Sequence, residues 1–219
     1  MIISHRHRFI FFNQPMTGSD SFCAYLKAWN EEPVKVYGKQ SPRQPLYHSM
    51  PPEMALRALE MIGRDCSDYT KLTISSDPFT RLPAIYSRIS STDRFWRLRH
   101  SAKIANPTFD EWLSKVKPNR TGAGGSPGQV WRRYGAWSSS AWANPEVVDQ
   151  VLPVEKLSLD LHHIMTSVGI PMPTDQRILK ADAHPKLPLS SYAVDRISTL
   201  YRADIDRFGY CPPASHCAA

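Results

Sequence analysis

The stretch Arg8–Phe22, RFIFFNQPMTGSDSF, decides the fold class of this chain. It contains four consecutive apolar residues, Phe9–Phe12, and a run without polar alternation is typical of a strand buried on both faces of a parallel sheet. Pro15 ends the run, a short segment of Thr, Gly and Ser follows, and an amphipathic helix begins near Ser19. The stretch therefore predicts a strand, a phosphate-binding turn and a helix N-terminus, in that order.

The turn suits an anion because the first N–H groups of a helix have no partner within the helix and lie at the positive end of its dipole. Gly18 permits close approach of the backbone to a ligand, and the hydroxyl groups of its neighbours are further hydrogen-bond donors. The expected ligand-contacting set is Thr17, Gly18, Ser19, Asp20, Ser21 and Phe22. A simpler interpretation is a capped helix start, with Ser19 or Asp20 as the capping residue.

Further strand and helix patterns follow along the chain. The segment 31–45, rich in Pro, Lys and Gln, predicts a strand fragment followed by a loop. Pro51 and Pro52 open a helix that ends at Gly63, Tyr69–Ser75 alternates as a strand does, and a helix containing Pro83 follows Asp77 and Pro78. Later patterns predict a helix started by the capping box of Thr108 and Glu111, a strand at 151–154, and helices at 157–168 and 190–208.

The repeated order of strand, turn and helix predicts an α/β fold. We expect one domain over residues 1–219, with a central, mostly parallel sheet flanked by helices and a P-loop-like strand, loop and helix at its N-terminus. The Gly-rich stretch at 117–128 is expected to be a mobile loop.

Composition excludes several classes of protein. The net charge of +7 comes from basic residues that are scattered along a chain with 19 prolines and form no continuous stripe. We therefore expect no nucleic-acid partner. No apolar stretch reaches the roughly 20 residues that span a bilayer, which predicts a soluble, cytoplasmic protein. The four cysteines lack metal-site spacing, and His162 and His163 are adjacent on a helix and do not face a common ligand, so we expect no metal.

With these elements in order, the chain resembles the sulfotransferases that use 3′-phosphoadenosine 5′-phosphosulfate (PAPS), in particular the carbohydrate-type branch. The resemblance covers nearly the whole length. It rests on five ordered landmarks: FIFFNQPMTGSDSF, YHSMPPEMALRALEMIGRDCSDYTKLTISSDPFTRLPAIYSRI, TFDEWLSKV, VLPVEKLSLDLHHIMTSVGIP and LYRADIDRFGY.

The resemblance implies a donor site for PAPS or its product, 3′,5′-adenosine bisphosphate (PAP), with the first loop around the 5′-phosphosulfate and Ser76 near the 3′-phosphate. Arg81, about one helical turn beyond Asp77, is a further candidate for contact with the anion. The family's residues are missing at four positions: Met16 replaces a lysine, Asp20 a threonine, Ser76 an arginine and Ala84 a serine. Two cations are lost and a carboxylate is gained, so donor binding should be weakened. A salt bridge to a nearby carboxylate is an equally good role for Arg81.

Outside the donor site, His48 precedes the second helix at a position similar to that of a histidine in relatives. It is a candidate for the base that deprotonates an acceptor hydroxyl or for a substitute cation, although an ordinary loop histidine is the commoner case. The aromatic and basic segment Trp131–Trp137 is a candidate surface for a sugar ring or an anionic acceptor. Asp204, within the last landmark, is interpreted as structural.

Three functions follow from these observations. The first is a sulfotransferase that moves a sulfuryl group from PAPS to a hydroxyl of a carbohydrate or other small acceptor. The second is a degenerate relative that keeps the fold as a binding or interaction module without PAPS-dependent activity. The third, a nucleotide-dependent enzyme of another class, has least support because the loop lacks the Gly-Lys-Ser/Thr ending of a P-loop.

Overall fold

The computed structural model describes residues 1–36, 38–92, 106–117, 137–172 and 187–213. Contacts divide the chain into two units, Met1–Ser76 with Trp142–Ala183 and Asp77–Ala141 with His184–Ala219. The expected single domain over 1–219 stays a prediction. The expected mobile loop at 117–128 lies outside the described residues, apart from Lys117.

The first unit holds a four-stranded sheet in the order β1-β2-β3-β4. Its strands are β1 (Ile2–Ser4), β2 (Phe9–Phe12), β3 (Thr70–Ser75) and β4 (Gln150–Pro153). The pairs β2–β3 and β3–β4 are parallel, whereas β1 is antiparallel to β2. The predicted α/β class with a mostly parallel sheet is confirmed. The sequence did not indicate β1, because three residues are too few to show a strand period.

Eight α-helices lie within the described ranges. They are α1 (Asp20–Leu26), α2 (Pro52–Met61), α3 (Pro78–Thr92), α4 (Phe109–Ser114), α5 (Ser139–Trp142), α6 (Leu157–Ser167), α7 (Ser191–Leu200) and α8 (Arg202–Phe208). Short 3₁₀ turns, Lys27–Trp29 and Val154–Lys156, follow α1 and precede α6. None of these helices is both long enough and apolar enough to cross a membrane.

Two sequence predictions need correction. The helix expected over 190–208 is two helices, because Tyr201, with φ −115° and ψ 25°, leaves the helical conformation between α7 and α8. In place of the strand fragment expected in 31–45, the described residues form two isolated bridges, one between Lys35 and Tyr47 and one between Ser41 and Gln44. Pro33 and Pro45 lie two positions before Lys35 and Tyr47, respectively. Both prolines lack the N–H that a longer ladder needs.

The core of the first unit lies between the sheet and helices α1 and α6. Phe9–Phe12 are fully buried, as the continuous apolar run predicts. One cluster joins Phe9, Phe11, Leu72, Ile74 and Leu152 of the strands to Phe22 and Leu26 of α1 and to Leu157, Leu161, Ile164 and Met165 of α6. This packing anchors the turn between β2 and α1.

The described secondary structure of the second unit consists of helices. The capping box of α4 forms as predicted: the Glu111 N–H donates to Thr108 Oγ1, and the Thr108 N–H donates to the Glu111 carboxylate. Tyr86 of α3 packs on Phe109 and Trp112 with ring centroids 5.4 and 5.9 Å apart. These aromatic contacts join α3 to α4.

Candidate functional site

The predicted anion loop, Asn13–Ser19, leaves the carboxyl end of β2. Thr73 of β3 donates its hydroxyl to the Phe12 carbonyl at 2.7 Å, and this buried bond fixes the last residue of β2 against the neighbouring strand. Since β2 and β3 are parallel, Asn13 and Ser76 both continue from the same edge of the sheet. That edge is where open α/β sheets bind ligands.

The loop backbone contains two residues with positive φ. Met16 has φ 62° and Gly18 has φ 75°, so both are left-handed. Glycine adopts this conformation at little cost, whereas for a residue such as methionine it costs about 1 kcal/mol. Turns that mix left- and right-handed residues direct consecutive N–H groups to one side. The backbone of the loop is therefore compatible with the predicted phosphate or sulfate.

The side-chain hydroxyls of the loop are used within the loop itself. Thr17 and Ser19 are both 2% exposed. Thr17 donates to the Gln14 carbonyl at 3.1 Å, its oxygen lies 3.0 Å from Ser19 Oγ, and Ser19 donates to Asn13 Oδ1 at 2.6 Å. The expectation that these hydroxyls donate to a ligand has no support in this geometry, because they hold the turn in shape instead.

The start of α1 also differs from a conventionally capped helix. Ser19 occupies the N-cap position but makes no side-chain capping bond, since its hydroxyl is bonded to Asn13. Asp20 is exposed in the first turn, Ser21 is half-buried, and Phe22 is fully buried edge-on against Phe11, with centroids 5.2 Å apart. Phe22 is thus a core residue, and the exposed carboxylate of Asp20 disfavours an anion.

His48, the candidate base, lies in the segment that precedes α2. Its backbone N–H donates to the Lys35 carbonyl at 2.9 Å, and the residue is exposed. Partial burial lowers the pKa of His48 below 6.5, and the positive charges of the Met1 amino group and Lys27 lower that pKa further. The imidazole is therefore neutral at pH 7, which is the form that accepts a proton.

Cys23 of α1 is half-buried and packs against the core of the first unit. Burial raises the pKa of its thiol to about 11, and the Asp20 carboxylate also favours the protonated form. The thiol is therefore protonated at neutral pH and belongs to the structural support of the loop, since thiolate is the reactive form.

The second predicted donor loop divides between the two units. Ser76 is the last residue of the first unit and is 5% exposed, whereas Arg81 and Ala84 lie on α3 in the second unit. Arg81 is 3% exposed and donates from Nη1 to the Trp137 carbonyl at 2.8 Å. Burial lowers the pKa of Arg81, while Tyr201, Asp204 and Tyr210 oppose that shift.

Asp204 explains the position of Arg81. Its carboxylate is fully buried and accepts the N–H groups of Ser139 at 2.7 Å and Ser140 at 2.8 Å, at the start of α5. It is also a negative neighbour of Arg81. The structural interpretation of Asp204 is confirmed, and the alternative for Arg81, a nearby carboxylate, agrees with this arrangement.

The other candidates add little. His162 and His163 are both exposed, as expected, and the described part of the chain contains no cluster of His, Cys, Asp or Glu that would hold a metal. Of the aromatic and basic segment 131–137, only Trp137 lies within the described residues.

One polar network, which the sequence did not indicate, lies at the opposite edge of the sheet. Glu32, 6% exposed, accepts from Arg64 Nε at 2.7 Å and lies 2.9 Å from His5 Nε2, and His5 Nδ1 lies 2.9 Å from the Tyr69 hydroxyl. The three bonded pairs of this network join residues that are 27, 32 and 64 positions apart along the chain. No local motif could have connected them.

Comparison with models of known protein families, with curated proteins and with solved structures finds no match. The resemblance to sulfotransferases stays a prediction.

Proposed function

We propose that this chain is a sulfotransferase-like protein that transfers a sulfuryl group from PAPS to a hydroxyl of a carbohydrate or another small acceptor. The observation that carries the proposal is the loop between β2 and α1. It combines left-handed Met16 and Gly18 with a position at the carboxyl edge of two parallel strands, beside the start of the Ser76 segment. These are the features expected of a phosphosulfate-binding turn.

Each part of the first unit would have a distinct role. The backbone N–H groups of the loop would bind the charged oxygens of the donor, and the internal bonds of Thr17 and Ser19 would keep those groups in place. His48, neutral at pH 7, would take the proton of the acceptor hydroxyl. PAPS, when bound, supplies the activated sulfuryl group.

A second candidate function is a binding module of the same fold without PAPS-dependent activity. Three observations favour it: residues 13–21 include no cation, Asp20 exposes a carboxylate at the loop, and the hydroxyls of Thr17 and Ser19 are already bonded. A phosphosulfate would then rely on backbone donors alone. In this case the loop is what persists of an ancestral donor site.

Calorimetry with PAP separates the two candidates. The first predicts binding of PAP to the native chain with a dissociation constant of about 1 mM or tighter, and absence of heat at millimolar PAP would refute it. The variant Met16→Lys with Ser76→Arg restores the two missing cations. It should tighten binding about tenfold or more, because each charge-assisted contact contributes about 1.5–3 kcal/mol.

The matched control is Met61→Lys with Leu159→Arg. It adds the same two charges at side chains that are 84% and 78% exposed, so it should leave PAP affinity unchanged. Because Ser76 is buried, circular dichroism should verify that the variant Met16→Lys with Ser76→Arg is folded. The single change Asp20→Asn removes the repelling carboxylate at an exposed position and provides an independent test.

Each outcome decides between the proposals. Binding by the native chain supports the sulfotransferase, and binding only after the cations are restored supports the module that lost its donor. If all folded variants fail to bind PAP, the relationship to sulfotransferases is wrong and both proposals are overturned.

A further inference from the structure

A cavity of about 480 Å³ opens in the first unit, between the C-terminal end of α2 and the start of β3. Its volume lies in the range of small-molecule sites. Its lining includes Leu56, Glu60, Arg64, Asp65, Cys66 and Lys71. They include two cations and two carboxylates, with apolar surface from Leu56 and Cys66.

The two cations are held in place by other groups. Arg64 Nε donates to the buried carboxylate of Glu32 at 2.7 Å, and Glu32 is itself fixed by His5, 2.9 Å away. Lys71 Nζ donates to the carbonyls of Tyr69 at 2.9 Å and Ser67 at 3.3 Å. The remaining donors are the Nη groups of Arg64 and one proton of Lys71, and such donors recognise a carboxylate.

Two carboxylates also line the cavity, those of Glu60 and Asp65. The Ser67 N–H donates to Asp65 Oδ1 at 3.0 Å, and the N–H and hydroxyl of Ser67 lower the pKa of Asp65, which keeps it charged. Glu60 lies in the last turn of α2, and the C-terminal end of a helix carries partial negative charge. These carboxylates favour an ammonium group.

The apolar part of the lining is neutral. Burial raises the pKa of the Cys66 thiol, so this side chain is uncharged at neutral pH and contacts a ligand as an apolar group. Leu56 supplies the rest of the apolar surface.

We propose that this cavity is a binding site for a small zwitterion, a molecule that carries a carboxylate and an ammonium group joined by a short aliphatic chain. The carboxylate contacts Arg64 and Lys71, the ammonium group contacts Asp65 and Glu60, and the aliphatic part lies on Leu56 and Cys66. The network of Glu32, His5 and Tyr69 positions Arg64.

This site is separate from the candidate donor loop. Lys71 lies at the start of β3 and Ser76 follows its end, and five residues of extended strand span roughly 17 Å. The inference does not depend on the proposed sulfuryl transfer.

Calorimetry on the full chain with a matched series of probes tests the proposal. The zwitterions are glycine, 4-aminobutyrate and 6-aminohexanoate, which differ in charge separation, and the single-charge probes are butyrate and n-butylamine. At least one zwitterion should bind roughly tenfold or more tightly than either single-charge probe, since each of those leaves one charged pole without a partner. Equal affinity for butyrate and the zwitterions, or no binding by any zwitterion up to about 50 mM, would overturn the proposal.

Variants locate the site. Arg64→Gln and, independently, Lys71→Gln should each weaken zwitterion binding roughly tenfold, while Arg57→Gln, an exposed arginine on α2 outside the lining, should leave it unchanged. Thermal unfolding verifies that each variant is folded. Native affinity in both folded lining variants would place the ligand elsewhere and refute the assignment.

Discussion

The buried carboxylate of Asp204 should be the most sensitive polar position of the second unit. The substitution Asp204→Asn keeps the size of the side chain but removes its charge and replaces one acceptor oxygen with a donor. One of the bonds from Ser139 and Ser140, at 2.7 and 2.8 Å, is then lost, and two donors face each other. Arg81, 3% exposed, loses its negative neighbour.

The expected magnitude follows from the burial of these groups. A hydrogen bond to a charged group contributes about 1.5–3 kcal/mol, and leaving a buried charge uncompensated costs about 3–5 kcal/mol. Because both effects act on one network they do not add fully, so the free energy of unfolding should fall by about 3–5 kcal/mol. Urea denaturation followed by tryptophan fluorescence measures this change.

Asp206→Asn is the matched control. Asp206 lies on the same helix and pairs with Arg202 at 3.6 Å, but both side chains are mostly exposed, at 68% and 83%. An exposed pair contributes about 0.3–0.5 kcal/mol, so the control should be nearly neutral. A loss below about 1 kcal/mol for Asp204→Asn would show that Asp204 does not hold this unit together.

Three further predictions concern individual groups. Tyr201→Phe should raise stability by about 1 kcal/mol in urea denaturation, because its buried hydroxyl has no hydrogen-bond partner among the described residues; a clear loss would reveal one. Because the pKa of His48 in the fold is below 6.5, the unfolded chain binds more protons as pH falls past 6.5, so stability should decrease there. His48→Gln should remove this part of the pH dependence of stability. An NMR titration of the native His48 imidazole with a midpoint at or above 6.5 would contradict the prediction. Iodoacetamide at pH 8 should label exposed Cys211 well before Cys23, because a pKa of about 11 leaves roughly one Cys23 thiol in a thousand as thiolate. Mass spectrometry after partial labelling measures the order. Equal labelling rates would show that burial does not protect the Cys23 thiol.

Local chemistry accounts for the parts of the fold that were predicted correctly. The apolar run Phe9–Phe12 is β2. Pro51 and Pro52 mark the start of α2, and Gly63 follows its end. The capping box of Thr108 starts α4. Each of these depends on residues within a few positions of one another, so a pattern in the sequence is sufficient.

The candidate site was predicted only in part, because its chemistry depends on directions that the sequence does not specify. The order of strand, turn and helix matches the expectation. The hydroxyls of Thr17 and Ser19 instead turn towards Gln14 and Asn13, and Phe22 enters the core. A hydroxyl can serve a ligand or its own backbone equally well, and only the folded loop selects between them.

The sequence by itself determined the types of the main strands and helices, the parallel arrangement of the main strands and the lack of charge-complementary side chains in the first loop. The tertiary structure alone decided that Arg81 lies beside Asp204, 123 positions later in the printed numbering, and that His5, Glu32 and Arg64 meet beside a cavity. The physical reason is that buried charges require partners, and those partners come from segments far apart in sequence that only packing of the core brings together.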